Sequence, residues 1–396
     1  MPRSHDANMS LSSGANTHGM PLDGITVVDF TSNGAGPACT MLLGDFGADI
    51  IKIEATTGDN TRHWGSTRLG KKRDLTPSFV SLNRNKSSVV LDLKSDSGRR
   101  AALELIAKTD VVIESFTPGV AARLGIGYEK ISRPDLVYCS LSGYGQTGPL
   151  TDRPGFDMLM QAFVGHMSIT GEAGRPSVRN GPSSIDILTG AHAALSITLA
   201  LMYRARTGLG QLIDVSLFDT SIYLVGMYIA DYKATGKVPG KFGSHLPLIT
   251  PYGIFKAKDR EFFIGVSDDA MWEKLCTGIG KPELATDLRF RRNSDRTKNS
   301  EELNSTLASI FALHDAQVWI DLSLRLGIPN SLVRDMAEVA EDAHANARGL
   351  FIDSGIDGLP IVGTPFKMSL TPGRLRKRPP SLDEDRERVL DSKANT

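Results

Sequence analysis

Residue type and spacing first suggest chemistry at Gly34-Ala35-Gly36, between a short β-branched run and a stretch with helical spacing. Glycines in such a loop let backbone N–H groups approach a phosphate at a helix N-terminus. With Glu54 closing the next strand-like run, the segment has the outline of a dinucleotide fingerprint. However, Cys39 occupies the third glycine position and Pro37 sits in the first helical turn. Three readings of the loop stay open: an NAD or FAD site, a tight turn that only starts a helix, and a seat for another nucleotide-like ligand such as the ADP half of coenzyme A. A second candidate is Asp186, at the start of the longest apolar run in the chain. By type alone it reads as an acidic residue in a helix first turn, with Ser183 or Ser184 as caps.

Other chemistries have little support. Cys39, Cys139 and Cys276 lie far apart without a CxxC pair, and the eight histidines form no HxxxH pair, so neither a metal site nor a redox motif is expected. Basic and acidic residues balance at 45 each, which gives no field favouring nucleic acid or an anionic membrane. Residues 1–20 are polar and lack an apolar signal core, so they are read as a disordered tail. No run of 18 apolar residues is free of charge, and the thiols suit a reducing compartment; the expectation is a soluble, cytoplasmic protein.

The elements that must position these residues follow a clear order. Strand-like runs at 25–30, 49–54, 88–93, 111–114 and 136–141 alternate with helical spacing at 38–46 and 98–108. Such alternation predicts an α/β fold with a parallel, doubly wound sheet. Helical patterns follow at 157–170 and 186–208, the second read as a buried core helix, and a further strand at 211–217. A hairpin near 253–266 then marks a change of character. We expect a large domain from 21–224 and 331–396, interrupted by a small α+β domain at 225–330. The charged segment after residue 380 reads as a solvated helix or disorder.

Six segments, in order, resemble the class III coenzyme A transferases, which include formyl-CoA and carnitine-CoA transferases. They are PLDGITVVDFTSNGAGPACTMLLGDFGADIIKIE from Pro21, NRNKSSVVLDLK from Asn83, the stretch from Asp110 to Gly119, SLSGYGQTGP from Ser140, GFDMLMQAFVGHMSITG from Gly155, and RTGLGQLIDVSLFD from Arg206. The resemblance implies a Rossmann-like large domain, a small domain and an interlocked homodimer. It implies an enzyme that moves CoA between carboxylic acids, using acyl-CoA and small acids as substrates and no tightly bound cofactor.

Transferred residue by residue, the resemblance places the nucleophilic carboxylate at Asp186. CoA contacts fall on Asn33, Gly34, Leu91, Asp92, Leu93, Lys94, Ser115, Phe116 and Arg123. Asp157 is expected beside substrate, where formyl-CoA transferases carry a Glu, or as a helix cap. Helix N–H groups are expected to hold Asp186 ionised. Related 2-methylacyl-CoA racemases need a His where this chain has Phe156, which cannot carry a proton; racemase, and a non-catalytic acyl-CoA-binding protein, are the alternatives. Ala55 stands where formyl-CoA transferase has a CoA-binding arginine, with Lys52 or Arg62 as possible substitutes. That enzyme's glutamine is replaced by Gly34 and its long glycine loop is absent, which argues against formate or oxalate. Arg175 and Arg179 could take the distal carboxylate of a dicarboxylic acid, and His245 could reach substrate.

Overall fold

The computed structural model describes residues 19–391, and most of the tail expected at 1–20 lies outside them. The described chain forms two compact units. One runs through Val164, Asn180–Met227 and onward from His344; the other comprises Gly165–Arg179 and Tyr228–Ala343. Residues 165–179 and 331–343, expected in the large domain, thus belong to the second unit.

The first unit is built on six parallel strands: β1 (Thr26–Phe30), β2 (Asp49–Glu54), β3 (Lys86–Val90), β4 (Val111–Glu114), β5 (Val137–Ser142) and β6 (Leu212–Ser216). Their order is β3-β2-β1-β4-β5-β6. The chain therefore reverses direction across the sheet between β1 and β4, the switch point at which doubly wound sheets open a crevice. β-branched residues are frequent in β1, β2 and β4, the strands whose two faces are both largely covered. Along β1, Val27 joins a core with Cys39, Ile185 and Ile197, whereas Val28 joins one on the other face with Ala102 and Ile106.

Three helices matter for the site: α1 (Ala35–Asp45), α2 (Asp157–Phe163) and α3 (Ser184–Thr207). α1 and α3 pack at very close range. A Cβ added to Gly190 of α3 would stand 2.5 Å from the Ala35 carbonyl oxygen. Only α3's inner face is buried, however; Ile187, Leu195, Leu199 and Met202 are each at least half exposed. By length and composition α3 could cross a membrane, although one side packs on α1 and the sheet.

The chain returns to this unit at its end. Asn85 accepts at its Oδ1 from the Arg376 and Lys377 backbone N–H groups, at 2.6 and 2.9 Å. The segment expected to be solvated after residue 380 covers the open edge of β3 instead. Asp383 accepts from Val90 N (2.7 Å) and Asp385 from Ser88 N (3.0 Å) before a short helix, Arg386–Leu390. Carboxylates thereby satisfy edge-strand donors that another chain could otherwise pair with.

The second unit has a three-stranded antiparallel sheet, with β8 (Glu261–Gly265) between β7 (Tyr252–Lys256) and β9 (Asn330–Leu332). Helices packed on it enclose a separate core around Trp272, Phe262 and Phe311.

Candidate active site

The loop leaving β1 is fixed at its root by buried charge. Asp29 accepts from Thr31 N (2.8 Å), Thr31 Oγ1 (2.6 Å) and Thr40 Oγ1 (2.6 Å). The Thr31 carbonyl accepts from Lys52 Nζ at 2.8 Å, and Lys52 also pairs with Asp59 at 2.8 Å. Burial alone would push Lys52 down, but Asp59, Asp29 and Glu54 together hold its ammonium above the usual lysine range. Lys86 lies 3.5 Å from Asp29; here burial wins and pushes the amine down to about 8. Of the two cations named as substitutes for an arginine at position 55, Lys52 lines the strand-end crevice and Arg62 does not, and both carry buried acidic partners. Lys52 is committed to Asp59, and Arg62 forms a fork with Glu54 at 2.8 and 2.7 Å. Both cations are internal and offer no charge to solvent.

With its root fixed, the loop makes a sharp turn. Asn33 adopts φ +69°, a left-handed geometry that Asn tolerates better than most residues. Gly36 must be small, because an added Cβ would fall 2.2 Å from Thr31 Cβ. At Gly34 the obstruction is Asp186: a Cβ there would stand 2.4 Å from its Oδ2 and 2.8 Å from its Cγ. The Asp186 carboxylate therefore rests directly on the backbone of Gly34, at the start of α1, and no side chain separates them.

Asp186 lies in the first turn of α3, but the donors of that turn do not serve it. Ile185 N (2.8 Å) and Asp186 N (3.2 Å) both donate to Asp157 Oδ2. Ser183, the N-terminal cap residue by position, makes no side-chain cap bond. The expected serine caps and the expected stabilisation of Asp186 by its own helix are thus both replaced: Asp157, from α2, takes the cap. Burial, with Asp157 nearby, pushes the Asp186 carboxyl up to about 6. Asp157 itself is buried, and its other oxygen accepts from Gln161 Nε2 at 2.5 Å. With both oxygens held by protein donors, it is poorly placed to bind substrate.

Beside this loop, the C-terminal ends of β1 to β4 enclose a crevice of about 390 Å³. Leu91, Asp92, Leu93, Lys94 and Phe116 line it, together with Ala55 and the loop from Thr56 to Asn60. Ser32 is on its wall and Gly34 lies two residues further, at most about 7 Å of chain. Ser115 does not line the crevice, but its Oγ accepts from Ser32 N at 3.2 Å and so ties β4 to the loop. Arg123 is exposed on the helix Val120–Leu124, of which Leu124 reaches the wall. Asn33 accepts from Asn60 Nδ2 at 3.0 Å, an exposed partner on the crevice rim.

The remaining expected residues belong to the second unit. Arg175 and Arg179 are exposed there. His245 packs edge-on against Phe255 at 5.3 Å, and burial lowers its imidazole below the usual range against the opposing pull of Glu172. Sequence reasoning passed over Gln161, although its helical spacing from Asp157 was a usable signal. It also passed over the 56–60 loop, which carries no pattern beyond Gly58. Among the described residues, no group of three His, Cys, Asp or Glu side chains could hold a metal ion.

This α/β protein thus holds a raised carboxylate on Gly34, two residues along the loop from the wall of a crevice formed by parallel strand ends. The chain belongs to CoA-transferase family III, whose family model matches residues 22–386. It is 39% identical to acetyl-CoA:oxalate CoA-transferase of Acetobacter aceti over 92% of this chain and 93% of that one. It is 34% identical to succinyl-CoA:glutarate CoA-transferase of Mus musculus, covering 93% of this chain and 86% of that one. Among solved structures, a CAIB/BAIF family protein from Brucella suis superposes with a TM-score of 0.87 at 36% identity, over 94% of this chain and 98% of that one.

Proposed function

We propose that the chain transfers CoA from an acyl-CoA to a carboxylic acid through covalent intermediates on Asp186. The observation that carries this reading is the Asp186 carboxylate seated on Gly34 beside the strand-end crevice. In the first step a carboxylate oxygen attacks the donor thioester, forming a mixed acyl-aspartyl anhydride and releasing CoA thiolate. The thiolate attacks the aspartyl carbonyl, giving an aspartyl-CoA thioester and expelling the donor acid as its carboxylate. The acceptor carboxylate then attacks this thioester, and the released thiolate takes the acceptor acyl group, restoring free Asp186. Every leaving group is a thiolate or carboxylate, so no metal or strong general acid is required. A nucleophile whose conjugate acid lies near 6 is intrinsically stronger than an ordinary aspartate and is still ionised at neutral pH.

The CoA nucleotide is assigned to the crevice, within a Rossmann-like domain, with Leu91, Leu93 and Phe116 as apolar walls and Lys94 facing phosphate. Arg123 is assigned to the same phosphates at longer range, and Asn33 and Ser115 shape the pantetheine path. The acids favoured are dicarboxylic, since relatives are named for oxalate, glutarate and mesaconate. The oxalate relative returns oxalate to the set worth testing. Arg175 and Arg179 are the proposed partners of a distal carboxylate, with His245 as a further substrate contact. The working form is proposed to be a homodimer, because α3 presents Leu195, Leu199 and Met202 at 56–57% exposure, an apolar stripe suited to a second copy, and its proposed compartment is the cytoplasm.

Intact mass measurement after incubation with succinyl-CoA, followed by hydroxylamine, tests the mechanism. A CoA adduct and a hydroxamate mapped to Asp186 are expected. Saturable CoA binding with no adduct from any donor would overturn the reading.

A further inference from the structure

We infer that Gln161 is a positioning residue for the transfer step, holding Asp157 in the orientation from which it caps α3 and aims Asp186. This inference rests on the covalent role proposed for Asp186. Gln161 is 1% exposed, and both ends of its amide are used. Its Nε2 donates to Asp157 Oδ1 at 2.5 Å, and its Oε1 accepts from Asn180 N at 2.8 Å. The orientation is forced, because the Asn180 N–H can face only an acceptor and the Asp157 oxygen only a donor. Asp157 then has one oxygen left, which takes the N–H groups of Ile185 and Asp186. A single chain of hydrogen bonds thus runs from Asn180 through Gln161 and Asp157 to the backbone of the nucleophile.

The clamp does two things that a cap supplied by Ser183 or Ser184 would not. It ties the head of α3 to a buried group on a different helix, so the Asp186 backbone is fixed from outside its own turn. It also fills that turn's donors with a second carboxylate, leaving the Asp186 oxygens for the thioester.

Because donors and acceptors alternate strictly, the clamp predicts a specific pattern of loss and rescue. In Asp157→Asn, the new Nδ2 meets Gln161 Nε2, donor to donor. Turning the Gln161 amide only moves the clash to Asn180 N. In Gln161→Glu, two acceptors face each other where a 2.5 Å hydrogen bond stood. In the double variant the amide nitrogen introduced at position 157 donates to the carboxylate introduced at position 161. That carboxylate's other oxygen accepts from Asn180 N, while the amide oxygen at position 157 still caps α3. Every bond is restored and only the charge has moved.

The test uses the full-length protein and these three variants. The rate of hydroxylamine-trapped adduct on Asp186 is measured at saturating succinyl-CoA, together with CoA affinity and thermal melting. A displacement near 1 Å at a reacting atom costs roughly 100-fold. Each single variant is therefore expected to form adduct roughly 30- to 100-fold more slowly, with CoA affinity within about 2-fold of wild type. The double variant is expected to regain most of that rate, to within about 5-fold of wild type. Singles at wild-type rate, or a double variant that melts like wild type but forms adduct no faster than the slower single, would overturn the clamp alone. No adduct on the wild-type protein would instead refute the covalent role of Asp186, and this inference with it.

Discussion

The Gly34→Ala substitution isolates what the seat beneath Asp186 contributes. Gly34 has φ −102° and ψ −71°, so alanine needs no forbidden backbone angle and the effect must come from overlap. The new methyl would lie 2.4, 2.8 and 3.0 Å from Asp186 Oδ2, Cγ and Cβ. An ordinary carbon–oxygen contact is longer by several tenths of an ångström to about 1 Å, so something must yield by that amount. The backbones have little room to do so, because α1 and α3 touch at Gly190 and the loop root is fixed through Thr31 to Asp29 and Lys52. The Asp186 side chain is the element free to turn. Overpacking of this kind costs about 1–3 kcal/mol in a well-packed site, part of it relieved by that rotation. A carboxylate displaced by about 1 Å from its attack position is expected to slow adduct formation roughly 100-fold. The assay is rapid-quench trapping with hydroxylamine at saturating succinyl-CoA, with CoA affinity measured in parallel. Wild-type trapping rate in the alanine variant, with an unchanged fold, would refute the idea that Gly34 is the seat.

Further outcomes follow from the same geometry. Transfer requires ionised Asp186, so kcat/KM should fall about tenfold per pH unit below about 6; a profile flat to pH 4.5 would contradict it. Because this carboxyl is raised in the folded protein, the native state binds more protons than the unfolded chain between the ordinary aspartate range and 6, and stability falls as pH rises through that window. Asp186→Asn should therefore be more stable than wild type at pH 8, by about 1–2 kcal/mol after allowing for partial exposure, and equally stable near pH 3 in a paired denaturation series. Arg62→Ala removes one partner of a buried fork with Glu54 and should cost about 3–5 kcal/mol in urea unfolding. Lys94→Ala should weaken CoA binding only about 2- to 5-fold, with the difference vanishing at high salt in titration calorimetry, because Lys94 is exposed.

Much of the fold was legible because its signals are local. Alternating β-branched runs and helical spacing showed a parallel sheet, since strands buried on both faces must be apolar along their length. Asp186 was visible as a first-turn acid, and its catalytic reading came from the resemblance carried by six ordered segments. Several features were not legible because they depend on residues far apart in the chain. The capping of α3 was assigned to neighbouring serines, whereas Asp157 reaches it from another helix. Lys52 and Arg62 could be read as spare cations, yet Asp59 and Glu54 consume them in the interior. The segment after residue 380 has the composition of solvated chain, and distant contacts order it, among them its pairing with β3 about 300 residues earlier.

By itself, then, the sequence determined which segments could become strands and helices, that a glycine loop would stand between β1 and α1, and that an acidic residue would head α3. Those properties follow from torsional preference, side-chain volume and periodicity, which act over a few residues. The tertiary structure alone decided that the loop and the acid meet, with Gly34 directly under Asp186, and that α3's N–H groups go to Asp157. Such decisions belong to packing: a carboxyl is raised or lowered by the charges and solvent around it, and a glycine is required only once something occupies the space its side chain would take.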